Sequence, residues 1–170
     1  CIPCSENNSS INEIMIVPIS KDLFPDLVKI ALQDFSSLYQ TEVHAELEDI
    51  AHGRCFGLCA MSDGRPIGYV IAKRTVDTYH LLTIAIDEHH RGKGYGSRLL
   101  DGIFAEVAQQ GGRILNVITD ADASESLRFY LKNGFFLTGI VQDEFISGVA
   151  QVHLTRRMGS SLKQISFSTT

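Results

Sequence analysis

The sequence predicts the α/β class, an α+β arrangement in which one mixed sheet carries helices on its faces, in the order β-α-α-β-β-β-α-β-α-β-β. Three observations predict it. Segments with helical spacing of apolar residues alternate with strand-sized apolar runs along the chain. The run through residues 78–86 is apolar without alternating, the pattern of a central strand covered on both faces. All four prolines occur by Pro66, so none interrupts the elements of the second half.

Residues 15–19 read as a short first strand. Leu27, Ile30, Ala31, Phe35 and Leu38 then follow helical spacing and predict one helix over 22–39. A second helix is expected from Thr41 as N-cap, with Val43, Leu47, Ile50 and Ala51 on one face and Gly53 closing it. Residues 54–61 and 66–74 read as strands joined by a hairpin turn at Ser62-Asp63-Gly64-Arg65. The central strand over 78–86 follows. Leu99, Leu100, Ile103, Phe104 and Val107 mark a helix over 94–110 that Gly111 and Gly112 end. A strand over 113–119 comes next. Asp122 with Glu125 three positions on resembles a capping box, opening a helix that runs to Asn133 and stops at Gly134. Strands over 135–141 and 148–157 complete the order as a hairpin.

The chain has 170 residues, one ordinary domain in size. Residues 1–12 and 159–170 are polar and are expected to be flexible tails around a domain over 13–158. At this length roughly 68–70% of the unfolded surface can be buried, enough for a core without staples. No apolar stretch approaches the ~18 residues of a membrane-spanning helix, so no membrane partner is expected. A net charge of −5 argues against nucleic acid as a partner.

Cysteines stand at 1, 4, 55 and 59. A shared zinc is disfavoured, because Cys55 and Cys59 on one strand stand about 13 Å apart. Buried free thiols in a reducing cytoplasm are the expectation, with no metal. The start at Cys1 suggests a trimmed or processed chain; a lipidated N-terminal cysteine has no other support, and no signal peptide is visible.

The most informative segment is Ile84-Ala85-Ile86-Asp87-Glu88-His89-His90-Arg91-Gly92-Lys93-Gly94-Tyr95-Gly96-Ser97. A buried strand ends, a short turn follows, and alternating glycines run into a helix. Without a Cβ the backbone approaches a ligand closely and takes left-handed angles. The first helical turn offers unpaired N–H groups and a partial positive charge. This suits a pyrophosphate, with Arg91 and Lys93 adding formal charge. A glycine-rich turn that merely starts a helix is the plainer alternative. The pattern Gly-x-x-x-x-Gly-Lys-Ser/Thr is absent, which disfavours a P-loop. A dinucleotide-binding domain would need its third glycine one residue later; Asp120 would suit a ribose, but such a loop ordinarily opens its domain.

Two motifs carry a resemblance. Arg91-Gly92-Lys93-Gly94-Tyr95-Gly96 resembles the Arg/Gln-x-x-Gly-x-Gly/Ala loop of the GNAT N-acetyltransferase superfamily, and Phe129-Tyr130-Leu131-Lys132-Asn133-Gly134-Phe135 resembles its Phe-Tyr-x-x-x-Gly-Phe segment. The element order fits as well, so the resemblance covers about residues 13–158. Ala123 and Ser126 stand where the family often has Asn and Ala, so that asparagine's side-chain contact is missing.

The resemblance implies an acetyl-CoA-dependent N-acetyltransferase of GNAT-like fold. It would act by direct transfer, in a ternary complex, to a primary amine of a small molecule, a peptide N-terminus or a lysine. The pyrophosphate would sit on the amides from Gly92 to Ser97, with Arg91 beside it, and the pantetheine arm would pair with Ile84, Ala85 and Ile86. An N–H near Ile86 would then serve as oxyanion donor. Phe129 and Tyr130 would border the cofactor. Tyr130 resembles the family's acid for the departing thiolate, the alternative being a core aromatic. His80 occupies a strand position where the histone and serotonin acetyltransferase branches carry a base; the alternative is a half-buried structural histidine. Glu88 or Asp120 would shape a wet cleft where water takes the proton, and His89 and His90 read as solvated turn residues. The acceptor site is expected between the two early helices and the 142–147 turn, with Glu42, Glu46, Asp143 and Glu144 either holding an amine or forming a solvated acidic face. A non-catalytic acyl-CoA sensor on the same fold is the competing function, and a homodimer is left open.

Overall fold

The computed structural model describes residues 14–34, 37–76, 78–145 and 147–159. The proposed tails, with Cys1 and Cys4, lie outside the described residues except at Gly159. Seven described strands form one sheet in the order β1-β2-β3-β4-β5-β7-β6. They are β1 (Met15–Pro18), β2 (Cys55–Ser62), β3 (Arg65–Thr75), β4 (Thr78–Ile86), β5 (Ile114–Asp120), β6 (Phe136–Gln142) and β7 (Ala150–Arg157). Neighbours are antiparallel except β4 and β5, which run parallel.

The helices are α1 (Phe24–Asp34), α2 (Ser37–Ala51), α3 (Tyr95–Gln109) and α4 (Ser124–Lys132). They cover opposite faces. Leu99, Leu100, Ile103, Phe104 and Val107 of α3 and Tyr130 of α4 pack with Val70, Leu81, Leu115, Val117, Val152 and Leu154. Leu27, Ile30 and Ala31 of α1 and Val43 and Leu47 of α2 pack with Cys55, Cys59, Tyr69, Ile71 and Ala85. Both described cysteines are thus buried free thiols, and burial pushes Cys59 up to about 12. No helix among the described residues is long and apolar enough to cross a membrane.

The single helix expected over 22–39 is instead a 3-10 turn at Lys21–Leu23, then α1, then a new helix beginning at Ser37. Residues 35 and 36 of that expected helix lie outside the described residues. Thr41 lies inside α2 rather than capping it. The capping box also fails. Ala123 is the N-cap of α4, no side chain caps it, and Asp122 contributes its carbonyl to the Ser124 N–H at 2.8 Å.

Strand β4 lacks alternation for two reasons, of which coverage on both faces is one. The other is a bulge. Ile71 pairs with Thr83 and Ala72 with Leu81, which leaves Leu82 without a partner on β3. Before the bulge Tyr79 and Leu81 face α3; after it Ala85 faces α1 and α2, while Ile84 and Ile86 pack toward α3 and α4. One extra residue therefore exchanges the faces of the strand's last stretch.

Strands β4 and β5 pair only at Tyr79–Leu115 and His80–Asn116. Beyond these rungs β5 continues on β7 as far as Asp120–Gln151, whereas β4 has no partner on that side among the described residues. A cleft opens in the middle of the sheet. Leu47 is 1% exposed and ties α2 to the sheet beside this cleft. Leu47→Ala is expected to lower unfolding free energy by about 2–5 kcal/mol, read from urea denaturation.

Candidate active site

The phosphate-binding candidate follows β4 directly. Asp87 ends the strand and organises a 3-10 turn at Glu88–His90, its carboxylate accepting from the His89 N–H at 3.1 Å and meeting His90 Nδ1 at 2.8 Å. Gln33, at the end of α1, donates to Asp87 Oδ2 at 3.0 Å and accepts from the Glu88 N–H at 2.9 Å. The Gln33 and His90 hydrogen bonds lower the Asp87 carboxyl below its ordinary value. His90 is therefore half-buried, bonded and packed against Tyr95, not a solvated residue; His89 is exposed as expected.

Gly92 and Gly94 take φ of 72° and 83°, the left-handed region that a side chain disfavours. Gly94 is the N-cap of α3, and Arg98 donates the first helical hydrogen bond to the Gly94 carbonyl at 3.1 Å. Among the described residues, no turn or loop hydrogen bond uses the amides of residues 92–97 as donors. These amides lie where the helix dipole is positive, a donor set that fits a diphosphate. Arg91 Nε and Lys93 Nζ turn back onto the carbonyls of Ile86 and His89, each at 3.0 Å. They hold the loop in shape and keep two positive charges beside it.

The two sequence motifs meet in space. A Cβ on Gly96 would stand 3.1 Å from the Phe129 ring, so the glycine lets α4 seat its aromatic on the first turn of α3. Tyr130, 7% exposed, meets the rings of Phe129 and Phe135 edge-on at 5.4 Å each. Its hydroxyl forms no hydrogen bond among the described residues, and burial pushes its pKa up, so it is protonated at neutral pH.

His80 sits on the last β4–β5 rung, Nε2 3.1 Å from the Thr78 hydroxyl, and burial lowers its pKa. Past the bulge, the Thr83 hydroxyl donates to Glu46 Oε2 of α2 at 2.6 Å. Glu46 is half-buried rather than part of a solvated face. Burial is the largest influence on its carboxyl, raising it to about 7; the Thr83 bond opposes this, and Glu42 and Asp49 reinforce it.

On β5 and β7, Val117, Val152 and Leu154 face α3, so Asn116, Asp120, Gln151, His153 and Thr155 face the α1/α2 side. They form a polar wall: Thr155 donates to Asn116 at 2.7 Å, Gln151 to Asp120 at 2.8 Å, and His153 pairs with Glu144 at 2.5 Å. Glu144 thus belongs to the wall, while Asp143 closes its own turn by accepting from the Gly148 N–H at 2.5 Å. Glu42 is exposed, as is Glu88. Sequence reasoning missed Gln33 and Thr83, which no local pattern marks. It also missed that Glu46 shares the stripe of Val43, Leu47 and Ile50, a pattern that was readable.

The model of the acetyltransferase (GNAT) family matches residues 24–135. A chain from Desulfovibrio desulfuricans assigned to the GNAT family superposes with a TM-score of 0.80 at 18% identity, covering 86% of this chain and 100% of that one. The ribosomal-protein-S18-alanine N-acetyltransferase from Escherichia coli gives 0.74 at 16% identity, covering 91% and 100%. An aminoglycoside 6'-N-acetyltransferase complexed with coenzyme A gives 0.69 at 16% identity, covering 86% and 98%. At these identities the structural likeness speaks for the fold, and the family model speaks for descent. More than half of the chain falls within that model, so the chain belongs to the GNAT acetyltransferase family and is an N-acetyltransferase that uses acetyl-CoA as co-substrate.

Proposed function

We propose that the chain transfers the acetyl group of acetyl-CoA directly to a primary amine, both substrates being bound together. The observation that carries this reading is the parted edge of β4. Among the described residues, the strand from Leu81 to Ile86 pairs with none on its β5 side, and it leads into the loop whose amides donate no turn or loop hydrogen bond. An extended pantetheine arm paired with Ile84–Ile86 would continue the sheet, with its diphosphate on residues 92–97. The thioester then lies in the cleft, open toward α1 and α2.

The acceptor comes from that side. Glu46, Asp120 and Glu144 contribute to a polar, acid-bearing surface there, which suits a cationic amine better than an anionic or apolar acceptor. The relatives named above act, by their names, on an aminoglycoside and on a protein's alanine. Both acceptors are amines, one small and one on a polypeptide. The same classes, with lysine, are the acceptors proposed here.

Tyr130 is assigned as the acid that protonates the departing thiolate. Its burial among rings keeps the phenol protonated, and its hydroxyl is uncommitted within the described protein.

Acetyl-CoA is expected to raise the melting temperature, by about 2.7 kcal/mol of stability at one hundred times Kd, and radiolabelled acetyl transfer across an amine panel then identifies the acceptor class. No thermal shift at millimolar acetyl-CoA contradicts the binding assignment. Gly94→Asp forces a side chain into the left-handed region and sets a carboxylate against the diphosphate, so coenzyme A affinity should fall about tenfold or more by calorimetry. Tyr130→Phe keeps the ring contacts and should lower kcat by roughly 10²-fold with coenzyme A affinity unchanged. Wild-type turnover in that variant returns Tyr130 to a packing role.

A further inference from the structure

Direct transfer to an amine requires a group that takes the amine's proton. Resting on the acetyl-transfer reading above, we infer that this group is the Glu46 carboxylate, held by Thr83 against the parted stretch of β4, and not His80.

The bulge at Leu82 makes this arrangement. Without the extra residue, Thr83 would share the face of Leu81 and point toward α3. With it, Thr83 faces α2 and donates to Glu46 Oε2 at 2.6 Å. The other carboxylate oxygen, Oε1, accepts no hydrogen bond among the described residues, so it is the one available to an amine. The position along the strand is also favourable. Thr83 lies three residues past the last β4–β5 rung, where β4 is free to pair with the thioester arm. His80 lies on that rung, at the closed end of the cleft, with Nε2 directed at Thr78.

The surroundings decide the protonation behaviour. Glu42 and Asp49 of α2 flank Glu46 with like charge; across the sheet face stand Cys55 of β2, Tyr69 and Lys73 of β3, and His80 of β4. Burial raises the carboxyl to about 7, near the pH at which a base is both ionised and able to hold a proton. The proton balance then closes. An ammonium gives one proton to Glu46, and the nitrogen lone pair forms the C–N bond at the thioester carbon. The C–S bond breaks, the thiolate takes the Tyr130 proton, and the nitrogen's second proton restores Tyr130. Glu46 releases its proton to solvent.

The test measures kcat against pH for the wild type and three variants, with melting curves and coenzyme A affinity alongside. Wild-type kcat should rise with pH and level off above about 7. Glu46→Gln should lower kcat by roughly 10²-fold and abolish that rise, with coenzyme A affinity unchanged. Thr83→Val removes the bond that lowers the Glu46 carboxyl, so the rise should move to higher pH. His80→Ala should keep the rise in place. Stability gives a separate readout. A carboxyl raised by folding contributes fully below its ordinary 4.5 and loses that contribution as pH climbs through about 7, so Glu46→Gln should flatten this part of the melting profile. If Glu46→Gln keeps the wild-type rise, or His80→Ala loses it, the assignment to Glu46 falls while acetyl transfer stands. If the wild type transfers acetyl to no amine, both fall.

Discussion

The site depends on a pairing that stops. Two rungs, Tyr79–Leu115 and His80–Asn116, hold β4 to β5, and beyond them the two strands part. Parallel strands buried on both faces ordinarily continue their ladder, because each lost rung leaves backbone polar groups without partners. Here the loss on β4 leaves a row of donors and acceptors in the middle of the sheet. An extended ligand can complete that row from within the protein, which an outer edge would offer only at the surface.

Three features aim this row. β5 stays in register on β7 to Asp120–Gln151, so the far wall of the cleft does not follow β4. The bulge at Leu82 exchanges the strand's faces, giving Thr83 and Ala85 to the α1/α2 side and Ile84 and Ile86 to the α3/α4 side. Gln33 then clamps the end of the strand, bonding both the Asp87 side chain and the Glu88 amide. Helix α1 therefore fixes the loop that starts α3, although α1 and α3 lie on opposite faces of the sheet.

The elements that were legible in the sequence are those set by local composition. The core stripe of α3, the glycines of its N-terminal loop, the Asp63-Gly64 turn and the Phe129–Phe135 motif all act over a few residues, and each falls where expected. What was hidden depends on partners distant in the chain. The division into α1 and α2 was hidden because Phe35 and Leu38 continue the apolar spacing across it. Leu82 looks like any strand leucine, and only its register against Ile71 and Ala72 makes it a bulge. Glu46 was grouped with Glu42, Asp143 and Glu144 by charge, whereas its place in the Val43–Leu47–Ile50 stripe marked it as the carboxylate that packs inward.

The central claim is that the free edge of β4 and the amides at the start of α3 bind one extended thioester cofactor together. Amide hydrogen exchange, with and without acetyl-CoA, tests it most directly. The account predicts slower exchange at residues 84–86 and across residues 92–97 in the same titration, with the β5–β7 rungs unchanged. Binding that leaves both stretches exchanging at their free rates, or that protects only one of them, would contradict it.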